Sequence, residues 1–337
     1  MNQKTTQSLA LDGFVALAAG LASALAFILS ARGASGALTF GTFAPLPLVI
    51  GALAFSLWGA VVSSIAGAAL LFVLFKPGDQ LAIGFLLSVA IPGLVAAAAA
   101  LLAPVTASAD RAPRWTVMAI AFSVAAIVAG ALLTAAHMAG GFDKAGDLLT
   151  QRFLPLVRTM TAGQALPYGV SEEQLARAFV RSLPAMMTLT AVATFSLNVY
   201  AAGRIAALSQ RLPRPFPDIA RDLTLPPALA ALFVIAGALT LTGGLRGVLA
   251  SIVTGALGMA FAMQGLAYVH FVTRGSSARF AILLAIYLAI FALQLLPLTV
   301  IALLGLADCI FLLRKRKANN SSSDTEDKGE NHGSDSA

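Results

Sequence analysis

Charged residues are scarce in this chain, and their scarcity excludes an ordinary water-soluble fold. Asp, Glu, Lys and Arg make up 11% of the 337 residues, whereas hydrophobic residues make up 58%. Soluble domains carry about 25% charged residues and could not hide so much apolar surface in a core. The long uncharged stretches therefore predict helices that cross a lipid bilayer, each of which needs about 20 apolar residues.

The side chains that commonly bind metals or act in catalysis are equally rare. Cys309 is the only cysteine, which excludes a disulfide within the chain, and the three histidines are His137, His270 and His332. Their spacing fits no zinc site, and the sequence contains neither a phosphate-binding glycine loop nor a nucleophile elbow. We therefore predict no metal, no cofactor and no enzymatic activity.

Basic residues exceed acidic ones and give a net charge of +7. They occur singly or in pairs between apolar blocks, which is typical of membrane topology signals, so we expect no nucleic-acid partner. A basic run at 314–317 follows the last apolar block and predicts a cytoplasmic C-terminus. With ten spans the N-terminus is also cytoplasmic, and the short outer loops hold only Arg32, Lys76 and Arg246.

The apolar blocks predict an all-α, polytopic transmembrane helix bundle of about eight to ten spans. Two blocks, 39–75 and 280–313, are too long for one upright helix, so each is predicted to be a pair divided near Trp58 and at Pro297. The first block is interpreted as a retained helix, the alternative being a cleaved signal peptide. The predicted spans are 9–31, 40–57, 59–75, 81–103, 115–136, 183–203, 225–242, 247–272, 280–296 and 298–313.

The sequence divides into a transmembrane helical domain, 1–316, and a polar tail, 317–337. The tail contains almost no apolar residue, which predicts a disordered cytoplasmic segment.

A long loop, 137–182, interrupts the series of spans and is predicted to lie outside the cytoplasm. Its first part has apolar residues at helical spacing, which indicates an amphipathic helix on the membrane surface, interrupted near Pro155. A second helix is predicted to begin at Ser171, where Gln174 has capping-box spacing, and to enter the next span at Pro184. The loop is either a structural belt at the headgroups or a lid over a cavity.

Asp308 is the only acidic residue well within an apolar block, so it is a candidate functional residue. The structural alternative is an ion pair with Arg274, Arg279 or Arg204 that holds helix ends together. Other polar side chains inside the predicted spans either line a solute cavity or join helices by hydrogen bonds. They are Gln264, Tyr268, His270, Asn198 and Gln294.

Small residues at helical spacing predict faces where helices pack closely. Lipid gives no hydrophobic drive for helix association, so close backbone approach through small side chains is the usual solution. The predicted packing residues are Gly59, Ser63 and Gly67 in the third span, and Gly247, Ser251, Gly255 and Gly258 in the eighth.

Several short segments together resemble the YybS-like family of uncharacterised bacterial multi-pass membrane proteins. The resemblance implies an inner-membrane protein with no established activity, and some family members are distantly similar to the substrate-capturing subunits of vitamin importers. The segments are Ala-Pro-Leu-Pro at 44–47, Leu-Pro-Ala at 183–185 followed by Asn198, Gly-Leu-Ala-Tyr-Val-His at 265–270 with Arg274, and Leu-Gly-Leu-Ala-Asp at 304–308 leading into Arg314.

Three functions are compatible with these features. The first is a component that binds or transports a small solute in the bacterial cytoplasmic membrane and, lacking a nucleotide site, depends on a membrane or cytoplasmic partner for energy. A cavity lined by Asn198, Gln264 or Tyr268 would favour it. The alternative is a non-transporting scaffold or assembly factor. A third, weaker hypothesis is an enzyme that acts on lipid through Asp308 and His270.

Overall fold

Helices make up nearly all of the regular structure, as the apolar blocks predict. The computed structural model describes residues 3–33, 35–102, 112–161, 169–212, 215–293 and 295–314. These residues form α-helices without a β-strand, which confirms the all-α prediction. The helices are α1 (Gln3–Ala31), α2 (Ala37–Phe43), α3 (Leu46–Ala54), α4 (Leu57–Leu74), α5 (Gly78–Phe85), α6 (Ile91–Leu102), α7 (Ala112–Ala139), α8 (Phe142–Thr161), α9 (Glu172–Leu208), α10 (Ile219–Asp222), α11 (Pro227–Leu239), α12 (Gly244–Val272), α13 (Arg279–Leu293) and α14 (Leu295–Phe311).

Ten apolar segments occur where the sequence predicts spans, which confirms a polytopic helical bundle. Three of them, α11, α13 and α14, are shorter than a full upright crossing. Two of the others each combine two helices, α2 with α3 and α5 with α6. The seven segments long and apolar enough to cross a membrane are Gly13–Ala31, Ala37–Ala54, Leu57–Leu74, Gly78–Leu102, Pro113–Ala139, Glu172–Leu208 and Gly244–Val272.

The two long apolar blocks, 39–75 and 280–313, each contain more than one helical segment. The first divides before Leu57 and not at Trp58, because the Ser56 hydroxyl accepts a hydrogen bond from the Gly59 N–H at 2.8 Å and caps α4. In the last block α13 and α14 lie on either side of residue 294, which is outside the described residues. Helix α14 contains Pro297, so the predicted break at this proline is wrong.

The long loop contains α8 and the first turns of α9. The predicted interruption near Pro155 is wrong, because α8 continues through this residue with its apolar side, including buried Val157, packed inward. The predicted start of α9 is confirmed: Ser171 and Gln174 exchange capping-box hydrogen bonds of 2.9 and 3.1 Å. From there α9 runs unbroken through Pro184 to the end of the sixth predicted span.

Two buried clusters form the interior, and α9 contributes to both. The first cluster gathers apolar residues of α1 and α3–α6 around Phe85, and Ala202 of α9 joins it. The second gathers residues of α7, α11, α12 and α14 around Phe261, and Phe195 of α9 joins it. The length of α9 therefore holds the N-terminal and C-terminal helices in one bundle.

Small residues allow α12 and α14 to pack with their backbones in close contact. A side chain at Gly265 would overlap the backbone of Ile301, and one at Gly305 would overlap the backbone of Phe261. Backbone contact of this kind maximises van der Waals packing where hydrocarbon surrounds the helices. Glycine at these two positions thus sets the distance between α12 and α14.

Candidate functional site

A buried ion pair joins Asp308 in α14 to Arg314, three residues beyond that helix. Arg314 Nη2 and Nε donate to Asp308 Oδ2 at 2.6 and 3.0 Å, and only 6% and 1% of the two side chains are exposed. Leu312 has φ 52°, a left-handed conformation, and the chain turns back there toward α14. The Arg314 N–H also donates to Asp308 Oδ1 at 3.2 Å.

The predicted partners of Asp308 are therefore wrong. Arg274, Arg279 and Arg204 do not pair with it, and the first residue of the basic tail does. In the sequence, Arg314 belongs to the basic run that predicts a cytoplasmic C-terminus. Nothing in that run indicates the left-handed turn at Leu312 that returns the Arg314 side chain to Asp308.

Gln264 extends this ion pair to a second helix and a loop. Its Nε2 donates to Asp308 Oδ2 at 2.8 Å, and its Oε1 accepts from the Leu225 N–H at 2.9 Å. Arg314 donates as well to the carbonyl oxygens of Ala220, at 3.0 Å, and Leu223. We name Gln264, Asp308 and Arg314 the clamp. It ties α12 and α14 to the segment 218–225.

The hydrogen-bonding groups of the clamp are engaged with one another or with backbone. Charges removed from water are tolerated when they are paired and their remaining donors and acceptors are satisfied. Among the described residues no group of three His, Cys, Asp or Glu could hold a metal ion. The geometry of the clamp therefore suits a structural connection better than proton transfer.

A second ion pair lies at the same end of the bundle, near the surface. Arg274 Nη1 donates to Asp218 Oδ2 at 2.6 Å, and Nη2 contacts Oδ1. The hydrogen bonding between these two side chains lowers the pKa of Asp218 and raises the pKa of Arg274. The segment 218–225 thus meets the C-terminal ends of both α12 and α14, and it joins α9 to α11. We name this the clamp end of the bundle.

The other polar residues within the predicted spans do not gather around Asp308. His270 Nε2 lies 3.0 Å from the Tyr287 hydroxyl, so His270 and Asp308 have separate partners and form no acid–base pair. Tyr268 is half-buried. Gln294 lies outside the described residues.

Asn198 connects α9 to the break between α2 and α3. Its Nδ2 donates to the carbonyls of Thr42 and Thr194 at 2.7 and 2.8 Å. Both partners are acceptors, so the amide nitrogen must face them and Oδ1 must face away. Within the described part of the chain, this buried Oδ1 has no hydrogen-bond partner.

A groove of about 450 Å³ lies beside Asn198, between α9, the break after α2, and the junction of α5 with α6. Its volume falls within the range of about 300–1,000 Å³ that is typical of small-molecule sites. From the sequence, a cavity lined by Asn198, Gln264 or Tyr268 would favour solute binding, and none of these three residues lines this groove. The lining residues are Gly41, Pro45, Ser88, Met186, Met187, Thr190, Ala191, Thr194 and Phe195.

Two helices that border the groove are irregular. Ala44 and Pro45 separate α2 from α3, and a π-helical turn, Leu86–Ala90, separates α5 from α6. In that turn the Ile91 N–H donates to the Leu86 carbonyl, five residues back, just before Pro92. π-Helical turns within α-helices often occur at functional sites.

The groove lies far from the clamp end. Thr194 and Thr190 precede the end of α9 at Leu208 by 14 and 18 residues, or about 21 and 27 Å along the helix at 1.5 Å per residue. Both threonines therefore lie several helical turns away from the clamp end along α9.

The predicted packing residues differ in what they contact. A side chain at Gly255 would overlap the backbone of Ala185 in α9. Gly247 faces the preceding turn, near Thr242, instead of another helix. The contacts of the rest are Gly59 with Ala16, Ser63 Oγ with the Ala16 carbonyl at 2.5 Å, Gly67 with Gly20 and Phe85, Gly258 with Phe233, and Ser251 Oγ with the Gly247 carbonyl at 2.8 Å.

The ten apolar segments and their close packing define a multi-pass helical membrane protein. The family model described as "Predicted membrane protein (DUF2232)" matches residues 21–309, and the chain belongs to this family of unknown function. No curated protein and no solved structure matches the chain. The matched region includes the groove and the Gln264–Asp308 pair. The family description therefore indicates that both belong to a membrane protein, and it assigns no activity to either.

Proposed function

We propose that this protein binds a small solute within the bacterial cytoplasmic membrane, as a component of a transport system. The observation that carries the proposal is the groove, which lies beside the break between α2 and α3 and beside the π-helical turn between α5 and α6. In a bilayer, irregular backbone is tolerated where it is buried in protein or lines a cavity, and transporters place substrates at such interruptions.

Asn198 supports this interpretation because it stabilises the helix break from α9. Its amide donates to the Thr42 carbonyl near the break, so the irregular backbone has a dedicated polar partner. An interruption held by a buried side chain from another helix is expected where the irregular shape itself is needed.

A partner protein would supply the energy for transport. The sequence has no phosphate-binding glycine loop, so uphill movement of a solute requires a second chain or an ion gradient. Some members of the YybS-like family, which the sequence resembles, are distantly similar to the capture subunits of vitamin importers, and this division of labour would be consistent with that distant similarity.

Ligand-induced stabilisation tests the proposal. The protein is reconstituted in nanodiscs and melted with a panel of vitamins, metabolites and neutral lipids. A ligand at 100 times its Kd stabilises by about 2.7 kcal/mol, which gives a measurable rise in Tm. Ala191→Phe fills the groove and should abolish that rise. Leu197→Phe adds the same ring at a position 45% exposed on α9 and should preserve it.

Two results would count against solute binding in the groove. One is the absence of any stabilising compound across the panel. The other is a ligand whose effect persists undiminished in the Ala191→Phe protein, because binding would then lie elsewhere.

The scaffold alternative is favoured by a different observation, the exposure of much of α13. This helix has no buried residue, and Phe280 and Phe291 are 78% and 84% exposed. Its surface is thus available to lipid or to a neighbouring membrane protein. Cross-linking from Phe291 to one stoichiometric protein, together with a groove that binds nothing, would establish the scaffold function in place of the first.

The clamp end is proposed to face the cytoplasm, together with both termini. Arg204, Arg211, Arg221, Arg274 and Arg279 lie in or beside the loops at this end. Cysteines placed at Gly275 and Gly243 should react with an impermeant thiol reagent from the cytoplasmic and the outer side, respectively. The reverse pattern would invert the orientation.

A further inference from the structure

Two hydroxyl groups in the groove lack the hydrogen bond that membrane threonines usually make. Thr188, Thr254 and Thr299 each donate to the carbonyl four residues earlier, at 2.7, 2.8 and 2.8 Å. Thr190 and Thr194 line the groove on α9, and their hydroxyls have no hydrogen bond to any described residue. They are four residues apart, so they share one face of the helix.

A hydroxyl group without a partner is costly where water is excluded. Transfer of such a group from water to an apolar medium costs several kcal/mol unless a hydrogen bond replaces the lost one. Bonding to the carbonyl four residues back would satisfy each threonine locally, as it does for Thr188 two residues earlier. Two donors on one groove wall are therefore available to an acceptor that comes from outside the chain.

The rest of the groove excludes a charged ligand. Among the residues that the structure describes, none that lines the groove carries a charge, and Met186, Met187, Ala191, Phe195 and Pro45 are its apolar lining residues with larger side chains than glycine. An ionised group placed here would lose its hydration without gaining a counter-charge. Methionine side chains are flexible and polarisable, and they adapt to apolar ligands of irregular shape.

The groove also opens on the flank of the bundle. Met186 and Met187 are 41% and 51% exposed on its rim, in the half of α9 away from the clamp. Met186 and Met187 fall within the predicted span 183–203, near the end away from the clamp, so in a bilayer an apolar molecule can reach the rim from the lipid.

We infer that the groove takes an uncharged, mainly apolar molecule bearing a carbonyl or ether oxygen, which enters from the lipid and accepts hydrogen bonds from Thr190 and Thr194. The inference rests on the proposed function and names the ligand class of the same site. The apolar body lies along Met186, Met187 and Phe195, and the oxygen faces the two hydroxyls.

Three photoreactive probes of equal chain length test the inference: a long-chain methyl ester, the alkane and the carboxylate. Adduct formation on the groove peptides is titrated in nanodiscs. We expect the ester to label most strongly. Thr190→Val with Thr194→Val should weaken the apparent affinity for the ester about tenfold and leave alkane labelling unchanged, because valine keeps the shape and removes the donors.

A matched control keeps the test independent of folding. Thr188→Val removes a neighbouring hydroxyl that is already bonded to the Pro184 carbonyl, so ester affinity should stay as in the unmodified protein. Melting curves identify any variant that has lost its fold. The Thr190→Val single variant then replaces the double one, with an expected loss of about threefold.

Three outcomes would overturn the inference. They are stronger labelling by the carboxylate than by the ester, no ester labelling of the groove, and unchanged ester affinity in the double variant. If a water-soluble compound stabilises the protein and Ala191→Phe abolishes the effect, the proposed function stands and the ligand class is wrong. If nothing binds in the groove, both are wrong.

Discussion

The clamp and the groove are two polar regions in one apolar bundle, and their hydrogen bonding differs. At the clamp, Asp308, Arg314 and Gln264 bond to one another and to the backbone of 220–225. At the groove, the hydroxyls of Thr190 and Thr194 are without a partner in the described chain. In lipid a satisfied polar group can hold helices together, whereas an accessible unsatisfied one is available to a ligand.

The largest effect is expected from breaking the clamp on one side. Asp308→Leu leaves the Arg314 guanidinium buried without a counter-charge, which should cost about 3–5 kcal/mol. Detergent-resistant folded protein, measured by size-exclusion chromatography after heating, should fall sharply. The double variant Asp308→Leu with Arg314→Leu removes both charges and should recover much of the lost stability. Replacing a buried ion pair by an apolar pair often leaves the free energy of unfolding unchanged. Equal melting temperatures for all three proteins would contradict a structural clamp.

The next largest effect concerns packing near the clamp. Gly305→Val places side-chain atoms against the backbone of Phe261, and overpacking of this kind costs about 1–3 kcal/mol or more. Gly237→Ala in α11 is the control, because a Cβ there meets nothing within 4 Å. Its melting temperature should be unchanged or slightly higher, as alanine favours a helix more than glycine does. A tolerated Gly305→Val would show that α12 and α14 can separate freely.

Replacing Asn198 should have an intermediate effect and alter the groove as well. Asn198→Leu removes two donors and leaves the carbonyl of Thr42 unpaired beside the helix break, at a cost of about 1–3 kcal/mol. Hydrogen exchange at residues 42–46, measured by mass spectrometry, should increase more than exchange in α12. Uniform exchange in the two regions would mean that Asn198 does not stabilise the break.

The sequence predicts the apolar segments of the bundle, but it predicts neither the partner of Asp308 nor the lining of the groove. Hydrophobic run lengths locate the ten apolar segments, because a bilayer imposes its thickness on each. The partner of Asp308 depends on a single left-handed residue, Leu312, and residue 314 also serves as a topology signal. The groove combines segments from three distant parts of the chain. Its one sequence signal is a pair of proline interruptions, at Pro45 and Pro92.

The smallest effect is expected at the exposed ion pair of the clamp end. Arg274 lowers the pKa of Asp218, so the pair stabilises the fold above the ordinary carboxyl pKa of 3.8 and is lost as pH falls through the lowered value. The two side chains are 41% and 42% exposed, which limits the contribution to less than about 1 kcal/mol. Asp218→Asn should lower Tm slightly at neutral pH, and the difference should shrink as the pH falls below the ordinary carboxyl pKa of 3.8. A difference that grows on acidification would contradict the pairing.

The most direct test of the account is the melting temperature of two double variants, measured with and without the methyl ester probe. Without the probe, Thr190→Val with Thr194→Val should melt like the unmodified protein. With the probe at 100 times the original Kd, a tenfold weaker affinity should reduce the stabilisation from about 2.7 to about 1.4 kcal/mol, so the rise in Tm should fall to about half. Asp308→Leu with Arg314→Leu leaves the groove intact and should keep the full rise in Tm, whatever its baseline Tm. If the clamp variant loses the response to the probe while the groove variant keeps it, the roles assigned to the two regions are reversed and the account is wrong.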